Sequence, residues 1–193
     1  RMETPQKDHV TLYMKKNDLK EPLSPKFWAS LANYPAMHKF VLKNALYRFF
    51  EHINQLEALE CLTLRGCQLV PSQLQDSERN KQVTRLKLLN CQMPDIHFDA
   101  LFESISEMPL IALHIPGNAK LNLRGEGWPK LCALLPTFTS LQSLDIRRHN
   151  ILLSDIHPFT ATFDKICNLE QLYMGPWTNS TDPEHLLALF REM

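Results

Sequence analysis

The segment 59–69, Leu-Glu-Cys-Leu-Thr-Leu-Arg-Gly-Cys-Gln-Leu, decides the fold of this chain. Its spacing is Leu-x-x-Leu-x-Leu-x-x-Cys-x-Leu. Residues 83–93 repeat that spacing, with Val83 in the first place and Met93 in the last. The same spacing returns more loosely in three later segments, which begin at Leu110, Leu141 and Leu169. Two eleven-residue matches in register exceed coincidence, so the chain is predicted to contain about five copies of one structural unit.

Each unit is predicted to combine a strand, a tight turn and a helix. The first residues of successive units lie 24, 27, 31 and 28 positions apart (83 − 59, 110 − 83, 141 − 110 and 169 − 141), which suits such repeats. Leu62 and Leu64 are two positions apart and therefore point to the same side of a strand. Parallel strands are predicted near residues 60–65, 84–89, 111–116, 142–147 and 170–175. Apolar spacings of three and four predict helices after Pro94, Gly127, Ser154 and Thr181.

This pattern resembles the leucine-rich repeat family. Helix-bearing units with Cys67 and Cys91 at the turn are most similar to the cytosolic ribonuclease-inhibitor-like and cysteine-containing subclasses. The resemblance implies an α/β solenoid with a curved parallel sheet and helices on its convex side. Cys67 and Cys91 are expected to be buried thiols that donate to backbone carbonyls.

The segment before the repeats has a different periodicity. From Pro35 to Leu56, apolar residues recur every three or four positions, which predicts one amphipathic helix. That helix is interpreted as a cap on the first repeat, and the alternative is a helix that docks a partner around Phe40 and Tyr47. The predicted division is an N-terminal extension at 1–24, a helical cap at 25–56 and repeats at 57–193. Within the first two parts, the alternating residues near Val10 are interpreted as an edge strand or as the tail of a missing domain, and a short helix is expected at residues 25–31. Both ends of the chain are interpreted as cut from something longer.

Composition argues against several classes of function. The 193 residues carry 21 basic and 21 acidic side chains, so no global positive charge favours nucleic acid. No apolar run approaches the roughly 18 residues that cross a bilayer, and no membrane association is expected. Five cysteines are an odd number, which indicates a reduced cytoplasmic setting, or a host cytoplasm for a secreted bacterial effector. Without zinc spacing, a phosphate loop or a Gly-x-Ser-x-Gly elbow, no metal, cofactor or enzyme activity is expected.

The outward side chains of the strands form the candidate binding surface, because parallel strands stack them in columns on the concave face. The candidate partner-binding residues are Arg65, Arg85, Lys87, His114, Asp145, Arg147 and Tyr173. Arg65, Arg85 and Lys87 are expected to cluster, and Arg147 with Arg148 is expected to form a second basic spot. Arg and Tyr are favoured at interface centres. These features predict a non-catalytic module that binds another protein with an acidic or polar surface.

Three settings use similar repeats: a bacterial effector, an immune receptor and a ubiquitin-ligase substrate receptor. The module is interpreted as the recognition part of one such longer protein. The alternative is a nucleic-acid-associated scaffold that uses the same basic cluster.

Overall fold

The structure, a computed structural model, describes residues 9–13, 23–34, 37–48, 53–70, 82–163 and 165–175. Its strands are β1 (His9–Tyr13), β2 (Lys39–Lys43), β3 (Leu46–Arg48), β4 (Cys61–Arg65), β5 (Gln68–Val70), β6 (Arg85–Leu89), β7 (Ala112–His114), β8 (Ser143–Asp145) and β9 (Gln171–Tyr173). Its helices are α1 (Pro25–Leu31), α2 (Phe98–Ile105), α3 (Gly127–Leu134) and α4 (His157–Phe163). Short 3₁₀ turns occupy Ile53–Gln55, Asp95–His97, Leu135–Thr137 and Leu153–Ile156.

Seven strands form one parallel sheet in the order β1-β2-β4-β6-β7-β8-β9. The five strands predicted from the leucine spacing are confirmed, and so is their parallel pairing. A second, two-stranded parallel sheet joins β3 to β5 at the strand ends. Curvature of the large sheet stays a prediction.

The inward leucines stack in register from strand to strand. Leu62 pairs with Leu86, which pairs with Leu113, and all three are fully buried. Helices α2, α3 and α4 lie side by side against this layer, with Trp128 of α3 stacked on Phe159 of α4 at 5.6 Å. Each repeat therefore buries its apolar edge against both neighbours, as a solenoid requires. The predicted helices after Pro94, Gly127 and Ser154 are confirmed, while the one after Thr181 lies outside the described residues.

The turns after β2, β4, β6 and β8 each use a left-handed residue. Asn44, Gly66, Asn90 and Arg148 have φ values of 54°, 63°, 53° and 64° and stand one position before the buried turn residue of their repeats. Asn and Gly tolerate this conformation, whereas it costs other L residues about 1–2 kcal/mol. These four turns thus share one backbone conformation, even at Arg148, where the residue type is unfavourable.

The buried turn residues tie neighbouring repeats together by hydrogen bonds. Cys67 Sγ donates to the Leu42 carbonyl at 3.5 Å, and Cys91 Sγ donates to the Leu64 carbonyl at 3.4 Å. Both are free thiols with no exposed surface, which confirms their predicted position and bonding. A hydrogen bond with Cys67, reinforced by burial, raises the pKa of the Cys91 thiol well above its ordinary value.

His149 fills the same turn position in a later repeat. Its Nε2 lies 2.6 Å from the Ile115 carbonyl, which can only accept, so Nε2 carries the proton. Its Nδ1 then accepts from the Leu123 backbone N–H at 3.0 Å. Burial lowers the pKa of His149 to about 4, and the ring is therefore neutral at pH 7.

The amphipathic helix predicted from Pro35 to Leu56 is wrong. This segment forms β2, β3 and a 3₁₀ turn, and β2 pairs in register with β4. Its buried residues repeat the spacing of 59–69 one unit earlier, at Met37, Phe40, Leu42, Ala45 and Tyr47. Pairing with β4 satisfies the backbone of β2, and the left-handed Asn44 ends that strand, so tertiary context overrides the helical periodicity.

The remaining N-terminal elements match their predictions. The expected edge strand is β1, which pairs with β2, and the expected short helix is α1, capped by Ser24. Trp28 of α1 packs edge-on against Phe40 at 5.8 Å and Tyr47 at 6.3 Å. Because Phe40 and Tyr47 are almost fully buried, neither is a docking residue.

Candidate protein-binding surface

The open face of the large sheet is the side opposite the helices. Along each strand its side chains alternate with the buried leucines. Two columns cross this face: Lys39, Cys61, Arg85, Ala112, Ser143 and Gln171 in one, and Val41, Thr63, Lys87, His114, Asp145 and Tyr173 in the other. Since these strands are in register, the predicted stacking of outward side chains is confirmed for these two columns, while the predicted third column is paired only between Arg65 and Leu89.

One half of the open face is basic. Arg65 and Arg85 are exposed and Lys87 is half-buried, and all three lie on the adjacent strands β4 and β6. The expected clustering of these residues is therefore confirmed. Strand β2 adds Lys39 opposite Cys61 and Lys43 opposite Arg65, which the sequence interpretation had missed by assigning this segment to a helix.

The other half is less basic, because Arg147 is paired with a carboxylate. Arg147 forms a two-pronged ion pair with Asp145, through Nε to Oδ1 at 2.9 Å and a terminal guanidinium nitrogen to Oδ2 at 2.8 Å. The guanidinium carbon also lies 5.1 Å from the centre of the Tyr173 ring, in a cation–π contact. Asp145 neutralises Arg147, so of the second basic spot expected from Arg147 and Arg148 only the charge of the exposed Arg148 remains.

The Asp145 carboxylate is almost fully buried and remains ionised. Burial alone would raise its pKa, but hydrogen bonds from the Arg147 side chain and backbone, with the charge of that guanidinium, lower the pKa below its ordinary value. This fixes the position of Arg147, which in turn covers the half-exposed ring of Tyr173. We call Asp145, Arg147 and Tyr173 the clamp.

A polar chain runs across the strands beside the clamp. His114 Nε2 lies 3.0 Å from Ser143 Oγ, which donates to Gln171 Oε1 at 3.3 Å. Burial, followed by the nearby charge of Lys87, lowers the pKa of His114. Nucleophilic catalysis would need a third group to orient this histidine, and Asp145, the neighbouring carboxylate, is committed to Arg147. The arrangement favours rigid recognition over chemistry.

All seven predicted residues therefore lie on one face, but in two electrostatically different halves. A separate groove of about 520 Å³ lies at the strand ends, beside Gln92 and Lys120, whose side chains are bonded at 3.0 Å. Across the part of the chain that the structure describes, no cluster of three or more His, Cys, Asp or Glu residues could hold a metal ion. None of the described helices is both long and apolar enough to cross a membrane.

The fold of this chain is similar to that of solved structures. The crystal structure of an internalin from Listeria monocytogenes matches with a TM-score of 0.48 and 16% sequence identity, over 82% of this chain and 41% of that one. The present chain thus spans less than half the length of that protein. No family model matches the chain, and no curated protein matches its sequence. The repeat architecture rests on the strand register and on the buried repeat positions described above.

Proposed function

We propose that this chain is a non-catalytic recognition module that binds another protein on the open face of its sheet. The observation that supports this proposal most strongly is the clamp. Its arginine and tyrosine are the residue types that dominate interface energetics, and they are held in place before any partner arrives. A group that is already ordered loses less entropy on binding, so the clamp favours affinity.

The basic half supports a partner with an acidic or polar surface. Among the described residues, Arg65, Arg85 and Lys87 form no ion pair, so their charge is available to an incoming group. Complementary charge accelerates encounter and selects against basic partners. The exposed Tyr173 supplies apolar area at the other end of the same face.

The biological setting is proposed from the sequence resemblance. A cytoplasmic protein of the ribonuclease-inhibitor-like or cysteine-containing subclass is supported by helical return segments and by free thiols at the turns. The module would then serve as the recognition part of a bacterial effector, an immune receptor or a ubiquitin-ligase substrate receptor. We also propose that the large sheet is curved, with the open face on its concave side.

Capture experiments with charge-reversed variants test the open-face assignment. The immobilised chain is exposed to lysate, and the proteins it retains are compared with those retained by the triple variant Arg65→Glu, Arg85→Glu and Lys87→Glu. The matched control reverses three exposed cations away from the open face, Lys26, Arg124 and Lys165, and changes the net charge equally. The proposal expects loss of capture only in the open-face variant. Full capture by that variant would reject the assignment.

Folding must be checked in parallel, because a misfolded variant would also lose its partners. Exposed charges contribute roughly 0–1 kcal/mol each to stability, so both triple variants should unfold close to the wild type. The alternative function, a nucleic-acid-associated scaffold, predicts instead that retained material is removed by nuclease and released steeply by salt.

A further inference from the structure

Five cations surround one small patch of the open face. Lys39 and Lys43 stand at the two ends of β2, Arg65 at the end of β4, and Arg85 and Lys87 on β6. We call these five residues the cation ring. At its centre lie Cys61, which is partly exposed, and Thr63.

The dimensions of the ring follow from strand register. Lys39, Cys61 and Arg85 pair side by side, so the backbones of Lys39 and Arg85 are about 10 Å apart at ~4.8 Å per strand. Lys39 and Lys43 are four residues apart on one strand, or about 13 Å. Successive outward side chains of an extended peptide are about 7 Å apart, so the ring accommodates two or three of them.

The charge of the ring is not balanced locally. The outward side chains of β2, β4 and β6 include no carboxylate. They are Lys39, Val41, Lys43, Cys61, Thr63, Arg65, Arg85, Lys87 and Leu89. Within the described ranges, no ring residue forms an ion pair. Among the described residues, the exposed carboxylates lie outside these strands, at Glu57, Glu60, Asp95, Asp99, Glu103, Glu107, Glu126 and Glu170.

We propose that the cation ring binds an acidic segment of the partner protein, with two or three carboxylates of an extended peptide received among the five cations. This inference rests on the proposed function and names the chemistry of its partner. Carboxylates meeting unpaired guanidinium and ammonium groups form the stronger, charge-assisted class of hydrogen bond. Arg65 and Arg85 can each present a planar fork to a carboxylate, while Lys39, Lys43 and Lys87 act as point charges.

Nucleic acid fits the ring less well. Beyond β6 the column that holds Arg85 continues as Ala112 and Ser143, so the cations do not extend as a track along a phosphate backbone.

Cys61 supplies a built-in reporter for the test. It lies between Lys39 and Arg85, so a peptide in the ring should shield it from the neutral reagent iodoacetamide. Cys167 is exposed away from the ring and serves as the internal control. Labelling of the whole chain is followed by mass spectrometry with increasing glutamate hexapeptide, and separately with glutamine hexapeptide or a thymidine oligonucleotide.

The proposal expects the glutamate peptide to slow Cys61 labelling while leaving Cys167 unchanged, and the glutamine peptide to protect neither thiol. The double variant Lys39→Glu and Lys43→Glu should weaken this protection about tenfold or more. The control variant Lys26→Glu and Arg124→Glu, with the same change in net charge, should not.

Three results would overturn the proposal: absence of Cys61 protection by glutamate peptide, equal weakening by the control variant, or tighter binding of the oligonucleotide than of the peptide. The proposed function has a separate readout. If the ring fails this test while the open-face triple variant still loses partner capture, the module binds proteins but by another chemistry. If both fail, the open face itself is the wrong surface.

Discussion

Protonation of His149 should destabilise the folded chain as the pH falls from 6.5 to about 4. Burial lowers the pKa of this ring from its ordinary 6.5 to about 4, and the neutral ring bridges the Leu123 N–H and the Ile115 carbonyl. The folded state thus binds this proton less readily than the unfolded state does. The stabilisation is fully present above pH 6.5 and is lost as the pH falls towards 4.

The size of the effect follows from linkage. A pKa difference of about 2.5 (6.5 − 4) corresponds to about 3.4 kcal/mol in full, because each pKa unit is worth 1.36 kcal/mol. Between pH 7.5 and 4.5, about 2.5 kcal/mol of this should be lost. For a domain of ordinary stability, this is a large fraction of the total free energy of unfolding.

Urea unfolding followed by circular dichroism at several pH values measures this loss. Other titrating groups also contribute, so the quantity to plot is the difference in unfolding free energy between the wild type and His149→Asn. Asparagine occupies the corresponding turn position at residue 118 and donates to a backbone carbonyl there, but it does not titrate. Parallel pH profiles for the two proteins would refute the burial and bonding assigned to His149.

Three further predictions concern packing, the turns and the thiols. Leu86→Ala should lower the unfolding free energy by about 2–5 kcal/mol, and a midpoint within error of the wild type would contradict the burial of Leu86. Arg148→Gly should raise the unfolding free energy by about 0.5–1 kcal/mol because it relieves a left-handed conformation at φ 64°, whereas a loss in the same denaturation assay would count against that turn. Iodoacetamide should label Cys167 first and Cys61 next in the native protein, as peptide mapping would show. Rapid native labelling of the buried thiols would contradict the core; these are Cys67, Cys91 and Cys132.

Most of the repeat architecture could be predicted because leucine dominates its inward positions. Strand parity and a constant register are enough to place the outward side chains of the strands, from Arg65 to Tyr173, on one face. Arg147, which follows β8, is the exception. The return helices after Pro94, Gly127 and Ser154 also carried clear start signals. Ile96, an apolar residue just after Pro94, is nevertheless 83% exposed because it lies in the 3₁₀ turn before α2.

The repeat at residues 37–47 was not predicted, because its inward residues are of several types. Met37, Phe40, Leu42, Ala45 and Tyr47 keep the spacing but include a single leucine. Apolar neighbours such as Val41 and Leu46 add a helical period to the same segment. A search for the spacing with any apolar residue, instead of leucine, would have found it. As a result, the predicted binding surface lacked Lys39 and Lys43, two cations of the open face.

The electrostatic division of the open face could not be predicted from the columns alone. Arg147 lies beyond the end of β8, where register no longer fixes the direction of a side chain. Its turn back onto Asp145 and Tyr173 depends on tertiary geometry. The number of charged residues in a column therefore does not show how many of them are free to bind a partner, because some are already paired within the chain.

Site-specific photo-cross-linking tests the central claim, recognition through the open face, most directly. A photoreactive phenylalanine analogue is placed at Gln171, an exposed open-face position, or at Ala133, an exposed position on α3. Irradiation of each variant in lysate should give covalent adducts to a partner protein from position 171 and none from position 133. Adducts from position 133 alone would place the partner on the helices and contradict the account.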